Sequence, residues 1–313
     1  MRALRVSLIV ASSLASAACG SVSGPVLDGY QPASLDSAAR MQRLAQASAA
    51  WVSAAGAMPM TTDTTCPRQE THGDTTTFTG NCTDSAGVEW FGTATARVDF
   101  GAHVNENHFD EYGTRRSRMC APSGGGAAVS VSERQVVRGT TRADGAGTNN
   151  GSFHVDLAVD GDRAGDDCVV VPATVAISYD GTVARSGVDM NSDGVPDTAT
   201  YNGHGRFGSN TDGVVEAVTT NEVLDSNVCN NEALSGTTQL SAGGHTAVIT
   251  YDGATDCSMD HTVTWTYDGA ARGTLTGVAC GVGHPTRNSL AFWMSTFALA
   301  AFAIATRRRS AND

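Results

Sequence analysis

The chain has 313 residues, enough for one large domain or two small ones, with 32 acidic against 20 basic side chains and a net charge of −12. A body of that sign repels phosphate backbones, which argues against a nucleic-acid partner. Every basic residue is an arginine, so Schiff-base lysine chemistry and the lysine of a phosphate-binding loop are excluded.

The N-terminus reads MRALRVSLIVASSLASAACGSVSG. Arg2 and Arg5 form a positive start, Val6 to Leu14 a short apolar run, and small residues lead to Cys19. Residues 1–18 are therefore expected to be an export signal, too short to span a membrane. The pattern resembles the signal of bacterial lipoproteins, in which a Cys after small residues is acylated and becomes the new N-terminus. The resemblance implies lipid on Cys19, with membrane lipid as a partner. Ser16 stands where those signals usually carry Leu, and Ala15-Ser16-Ala17 also fits an ordinary signal-peptidase site. Plain secretion is the alternative. Residues 19–32 look like the flexible tether of such lipoproteins.

Residues 33–57 predict a helix. Leu35, Ala38, Met41, Leu44, Ala45, Ser48, Trp51, Val52 and Ala55 recur at three- and four-residue steps, with Asp36 in the first turn and Gly56 as a stop. The stripe is expected to pack on a β body.

That body is expected over residues 65–284. Aromatics are only 6%, while 35 glycines and frequent threonines suit strands and turns. DTTTFTGNCTDSAGVEWFGTATARVDF reads as two strands around a turn at Asp84 to Gly87. AAVSVSERQVVRG and GVVEAVTTNEVL alternate, and SFHVDLAVDGD places Phe153, Val155, Leu157 and Val159 on one face. A weak repeat ends in Tyr-Asp-Gly at Gly181, Gly253 and Gly269. Asp-Gly suits a tight hairpin turn, so each copy is expected to be a hairpin.

Eight cysteines are present: Cys19, Cys66, Cys82, Cys120, Cys168, Cys229, Cys257 and Cys280. In an exported chain most should be disulfides. With Cys19 assigned to lipid and Cys280 to a tail motif, the simplest sequential pairing is Cys66–Cys82, Cys120–Cys168 and Cys229–Cys257. Pairing Cys257 with Cys280 is an alternative, and six cysteines allow about 15 connectivities. Zinc fits poorly, because no C-x-x-C occurs.

Among chemical motifs the best is DMNSDGVPD. Asp189, Asn191 and Asp193 occupy positions 1, 3 and 5 of a calcium loop, Gly194 position 6, the Val195 carbonyl position 7 and Asp197 position 9. It resembles the loops of thrombospondin type 3 repeats and dockerin modules, which implies Ca2+ as a loop clamp. Position 12 is Thr200 rather than an acid, and a plain Asp/Asn/Gly turn is the alternative. HVNENHFDE gathers His103, Glu106, His108, Asp110 and Glu111 and reads as a solvated polar loop. GHGRFG matches a dinucleotide fingerprint by letters only, since no helix follows. No catalytic residue is assigned.

The chain closes on RNSLAFWMSTFALAAFAIATRRRSAND. Leu290–Thr306 carries no charge and, as a helix, spans about 26 Å, close to a hydrocarbon core of about 30 Å. Arg307, Arg308 and Arg309 follow, as the positive-inside rule requires of an exported body. The combination resembles the C-terminal sorting tails of Gram-negative surface proteins, the tripartite PEP-CTERM and MYXO-CTERM type. That resemblance implies that residues 285–313 are a membrane segment read by sorting machinery, with Cys280 in the preceding motif CGVGHP.

The sum is an all-β protein of one or more antiparallel sheets, a disulfide-stapled sandwich or elongated meander, with one N-terminal helix and one C-terminal membrane helix. The expected role is structural or adhesive and non-enzymatic, anchored in the envelope at the outer membrane or cell surface. The alternatives are a carbohydrate-active hydrolase built on carboxylates brought together by folding, and a calcium-dependent binding module. The ligand is left open.

Overall fold

The computed structural model describes residues 21–41, 44, 65–145, 148–165, 167–190, 194–225, 227–228, 233–251, 253 and 262–276. The export signal, Cys19, the predicted helix beyond Leu44, Asn191, Asp193, Cys229, Cys257, Cys280 and the segment 285–313 lie outside them. Among the described residues no helix is long and apolar enough to cross a membrane.

The protein is all-β. Its strands are β1 (Arg68–His72), β2 (Thr75–Thr79), β3 (Cys82–Thr83), β4 (Glu89–Asp99), β5 (Val104–Cys120), β6 (Val129–Asp144) and β7 (Asn150–Ala164). They continue as β8 (Val170–Ser186), β9 (Thr198–Ser209), β10 (Gly213–Asp225), β11 (Ser235–Ala242), β12 (His245–Tyr251), β13 (Thr262–Tyr267) and β14 (Ala270–Thr276). They form one antiparallel sheet in which neighbours in space are neighbours in sequence, with β3 set aside as a second partner of β4. Of the two expected forms this is the meander. Short turns explain it, because each strand meets its predecessor before any longer connection can compete.

Alternation divides the sheet into two faces. The inner face carries the main core, which includes Phe109, Leu157, Ile177, Phe207, Leu240, Ile249 and Trp265. Leu35, Met41 and Leu44 of the N-terminal segment join the same cluster, and Ala38 to Met41 and Leu44 are helical. Of the described part of the predicted stripe, Leu35, Met41 and Leu44 pack on the β body, whereas Ala38 is exposed and residues 33–37 precede the helix rather than belonging to it. Burying each such Leu or Met stabilises by about 1.5–3 kcal/mol.

Residues 21–32, expected as part of a tether, are docked on the opposite, outer face. A short helix, α1 (Ser23–Asp28), places Leu27 against Ala158 and Ala176. This explains why Asp156 and Ala158 are buried although they alternate with the inward-facing Val155 and Leu157. Farther on, Ala33 N–H donates to the Val214 carbonyl (3.0 Å) and Val214 N–H to the Gln31 carbonyl (2.9 Å). The chain then passes to the inner face, where Ala33 and Leu35 enter the main core. Gly213 has φ +84°, and a Cβ there would sit 2.5 Å from the Gln31 carbonyl oxygen, so the passage needs glycine.

Two of the expected disulfides are formed. Cys66–Cys82 ties the entry of β1 to β3, and Cys120–Cys168 joins the end of β5 to the β7–β8 turn. Cys120 and Cys168 pack with Val131 and Ala164 in a cluster of their own.

Two expectations are corrected. Of the Tyr-Asp-Gly copies, the one ending at Gly269 makes a two-residue hairpin turn, with φ of 47° at Asp268 and 79° at Gly269 between the paired Tyr267 and Ala270, while Asp252 of the copy ending at Gly253 lies outside the described residues. Asp180-Gly181 lies within β8, where β7 and β9 supply hydrogen-bond partners on both sides. HVNENHFDE is also not a loop. His103 is in a turn, and from Val104 onward the segment is strand β5. Asn107 and Phe109 face inward, buried beside Ala96 and Ala94.

Candidate functional site

The outer face carries a registered row of polar side chains. Arg97, Glu106, Arg142, His154, Asp180 and His204 are direct cross-strand partners in succession from β4 to β9, and Val218 follows on β10. Opposite charges alternate through Arg97, Glu106 and Arg142, which favours pairing across the strands. Arg97 Nε donates to Asp74 (2.8 Å), and Arg142 Nη2 donates to Asp144 (2.7 Å). Those arginines hold the Asp74 and Asp144 carboxyls below the usual carboxylate range. All of these groups are solvent-accessible, so the pairs add little to stability.

At the β7–β9 end of the row lies a shallow groove of about 720 Å³. Its lining includes Ser152, His154, Asp180, Thr182, Asn202 and His204. His154 Nδ1 and Asp180 Oδ1 are 2.8 Å apart. If His154 donates from Nδ1, its Nε2 remains an acceptor. The arrangement offers hydroxyl, amide, imidazole and carboxylate groups to a polar ligand.

On the inner face, buried hydroxyls of β8, β10, β11 and β12 form a hydrogen-bonded chain. Tyr179 Oη donates to Thr219 Oγ1 (2.9 Å), Thr219 and Thr238 hydroxyls lie 3.3 Å apart, and Thr238 and Tyr251 hydroxyls 3.1 Å apart. Burial pushes the Tyr179 hydroxyl far above the ordinary phenol range. Its ring covers Gly203 and Gly205 on β9, which accounts for the first two glycines of GHGRFG.

The sequence-predicted calcium loop connects β8 to β9. Asp189 Oδ2 accepts from Gly194 N–H (2.8 Å), and Gly194 has φ +86°, as the sixth position requires. Asp197 is buried, and its Oδ2 accepts from Met190 N–H (2.8 Å) and Asn227 Nδ2 (3.2 Å). The two described carboxylates thus fasten the loop's backbone, while the Val195 carbonyl lies between them in sequence. Among the described residues no group of three His, Cys, Asp or Glu is arranged to hold a metal ion.

The HVNENHFDE residues are not brought together. Glu106 lies near Arg142 (3.9 Å), Glu111 near Arg138 (3.3 Å), and His108 faces Thr95 and Thr140.

One site was not foreseen from the sequence. Asp156, on the outer face of β7, receives Ser21 Oγ (3.0 Å), Val22 N–H (3.0 Å), Ser23 N–H (3.1 Å) and the Ser23 hydroxyl. Asp28 adds an ion pair to Arg206 (2.9 Å), and Tyr30 Oη donates to Thr174 (2.7 Å). The signal available was a Ser-x-Ser close to Cys19 and one acid in an apolar strand, both too common to single out. No family model, curated protein or solved structure matches the chain.

Proposed function

We propose that the chain is an exported, envelope-anchored protein with a structural or adhesive, non-enzymatic role. In this reading residues 1–18 direct export and Cys19 carries lipid. Leu290–Thr306 with Arg307 to Arg309 forms a C-terminal membrane segment that sorting machinery recognises. The wide sheet, stapled at Cys66–Cys82 and Cys120–Cys168, is the displayed body. Disulfides support an oxidising compartment, since reduced thiols prevail in the cytosol.

The observation that carries the reading is the pair of disulfides that staple the sheet, as suits an exported body. The test compares intact host cells with and without the full chain. An antibody against the sheet should label intact cells from outside, and deletion of the protein should lower surface adhesion or envelope integrity. Unchanged adhesion and integrity, or glycan hydrolysis by the purified protein, overturns it.

A second reading, a calcium-dependent binding module, is favoured by the positive φ of Gly194 beside Asp189. Calcium at millimolar concentration should then raise the melting temperature, reversibly with a chelator, and Asp189→Asn should remove the effect. No shift with calcium removes this reading.

A further inference from the structure

The attachment of Ser21 to Asp156 has a geometric consequence if Cys19 carries lipid, and the inference rests on that part of the proposed function. We infer that the outer face of the sheet, centred on β6 and β7, lies against the lipid headgroups.

Four hydrogen bonds fix Ser21 to Ser23 on Asp156. Leu27, Asp28 and Tyr30 hold the following residues to β7, β8 and β9. The strap therefore provides no slack, and only the chain from Cys19 to Ser21 remains between lipid and sheet. Two residues reach at most about 7 Å.

The ends of β7 and the β1 edge of the sheet lie farther off than that reach. Asp156 lies six residues from Asn150 and eight from Ala164, the two ends of β7. At about 3.3 Å per residue these ends are roughly 20 Å and 26 Å away. Toward β1 the sheet order interposes five strand spacings, roughly 24 Å at about 4.8 Å each. A lipid so close to the middle of the face cannot leave the sheet standing on a strand end or an edge. It must draw the face itself to the membrane.

The chemistry of the face fits the headgroup layer rather than the hydrocarbon. Glu106, His108, Arg142, His154 and Asp180 are polar or charged, and Val218 is the one exposed large apolar residue in the middle of this face among the described residues. Phe100 and Met119, by contrast, lie at opposite ends of the β4–β6 strands, 72% and 64% exposed.

The experiment uses the full chain in the membranes of a bacterial host. The photoreactive amino acid benzoylphenylalanine replaces His108 on the outer face, Phe100 at one end or Met119 at the other, in separate proteins. Mass spectrometry reads both the acyl group on Cys19 and lipid adducts formed on irradiation. His108 is expected to give several-fold more lipid adduct than Phe100 or Met119. Asp156→Asn should level the three, and the pattern of the otherwise native chain decides the matter if that variant does not fold. Acylated Cys19 with adducts equal to or greater at Phe100 or Met119 overturns the orientation alone. An unacylated Cys19 removes the reading beneath it.

Discussion

The ring of Tyr179 on β8 lies over Gly203 on β9, so close that a Cβ on Gly203 would sit 2.5 Å from Tyr179 Cε1 and 2.7 Å from the Asp180 carbonyl oxygen. Tyr179 then reaches past β9 to bond Thr219 on β10. A glycine without a side chain on one strand thus allows an aromatic residue to link the strands on either side of it.

Gly203→Ala should therefore destabilise the protein by about 1–3 kcal/mol, because neither the ring nor the backbone carbonyl can move without cost. Gly124→Ala, where nothing lies within 4 Å of the new methyl, should stay within about 0.5 kcal/mol of the parent. Urea unfolding of the two variants makes the comparison. Equal stability would show that the sheet accommodates a methyl beneath the ring.

Two buried tyrosines should respond in opposite ways to loss of the hydroxyl. Tyr179→Phe breaks the bond to Thr219 and should cost about 1 kcal/mol. The Tyr112 hydroxyl is buried without a hydrogen-bond partner among the described residues. Tyr112→Phe should thus be neutral or slightly stabilising, because it removes a desolvated group that gains nothing in return. Thermal melts of both proteins would settle the difference.

Acid should weaken the protein through Glu133. Arg118 hydrogen-bonds its carboxylate, and Arg116 and the Ala164 N–H assist, holding its pKa down to about 2. A depressed carboxyl stabilises the fold above its unfolded value near 4.5 and loses that contribution as pH falls toward about 2. Because solvent reaches these arginines, the loss is put at about 1–2 kcal/mol. Glu133→Gln should remove this part of the pH dependence between about pH 4.5 and 2, measured by denaturant midpoints at each pH. An unchanged slope would mean that the pair does not stabilise the folded state.

The longer disulfide loop should matter more. Cys120–Cys168 spans 48 residues of sequence and Cys66–Cys82 spans 16. Loop-closure entropy makes the first about 1 kcal/mol more stabilising than the second, within a usual range of about 2–4 kcal/mol each. The paired Ser substitutions Cys120→Ser with Cys168→Ser, and Cys66→Ser with Cys82→Ser, compared by equilibrium unfolding, should rank in that order. Non-reducing peptide mapping should recover both bridges from the native protein.

The residues alone determined what depends on near neighbours. Phe153, Val155, Leu157 and Val159 specify a strand face because successive side chains point to opposite sides. Asp268-Gly269 specifies a hairpin because the backbone there needs positive φ. Met41 and Leu44 specify a helical stripe seeking a core, which Leu35 joins from the chain before the helix. Tertiary structure decided what depends on residues far apart. The same Asp-Gly letters at Asp180 and Gly181 stay extended because strands on both sides satisfy their backbone groups, outweighing a local turn preference. The acids and histidines of β5 fall on a strand and disperse. Asp156 becomes the fastening point of Ser21 only when a segment more than 130 residues earlier in the chain is laid over it. A contact at that separation leaves no periodicity to read, because its cost is loop closure and its gain is burial, and neither is written in adjacent residues.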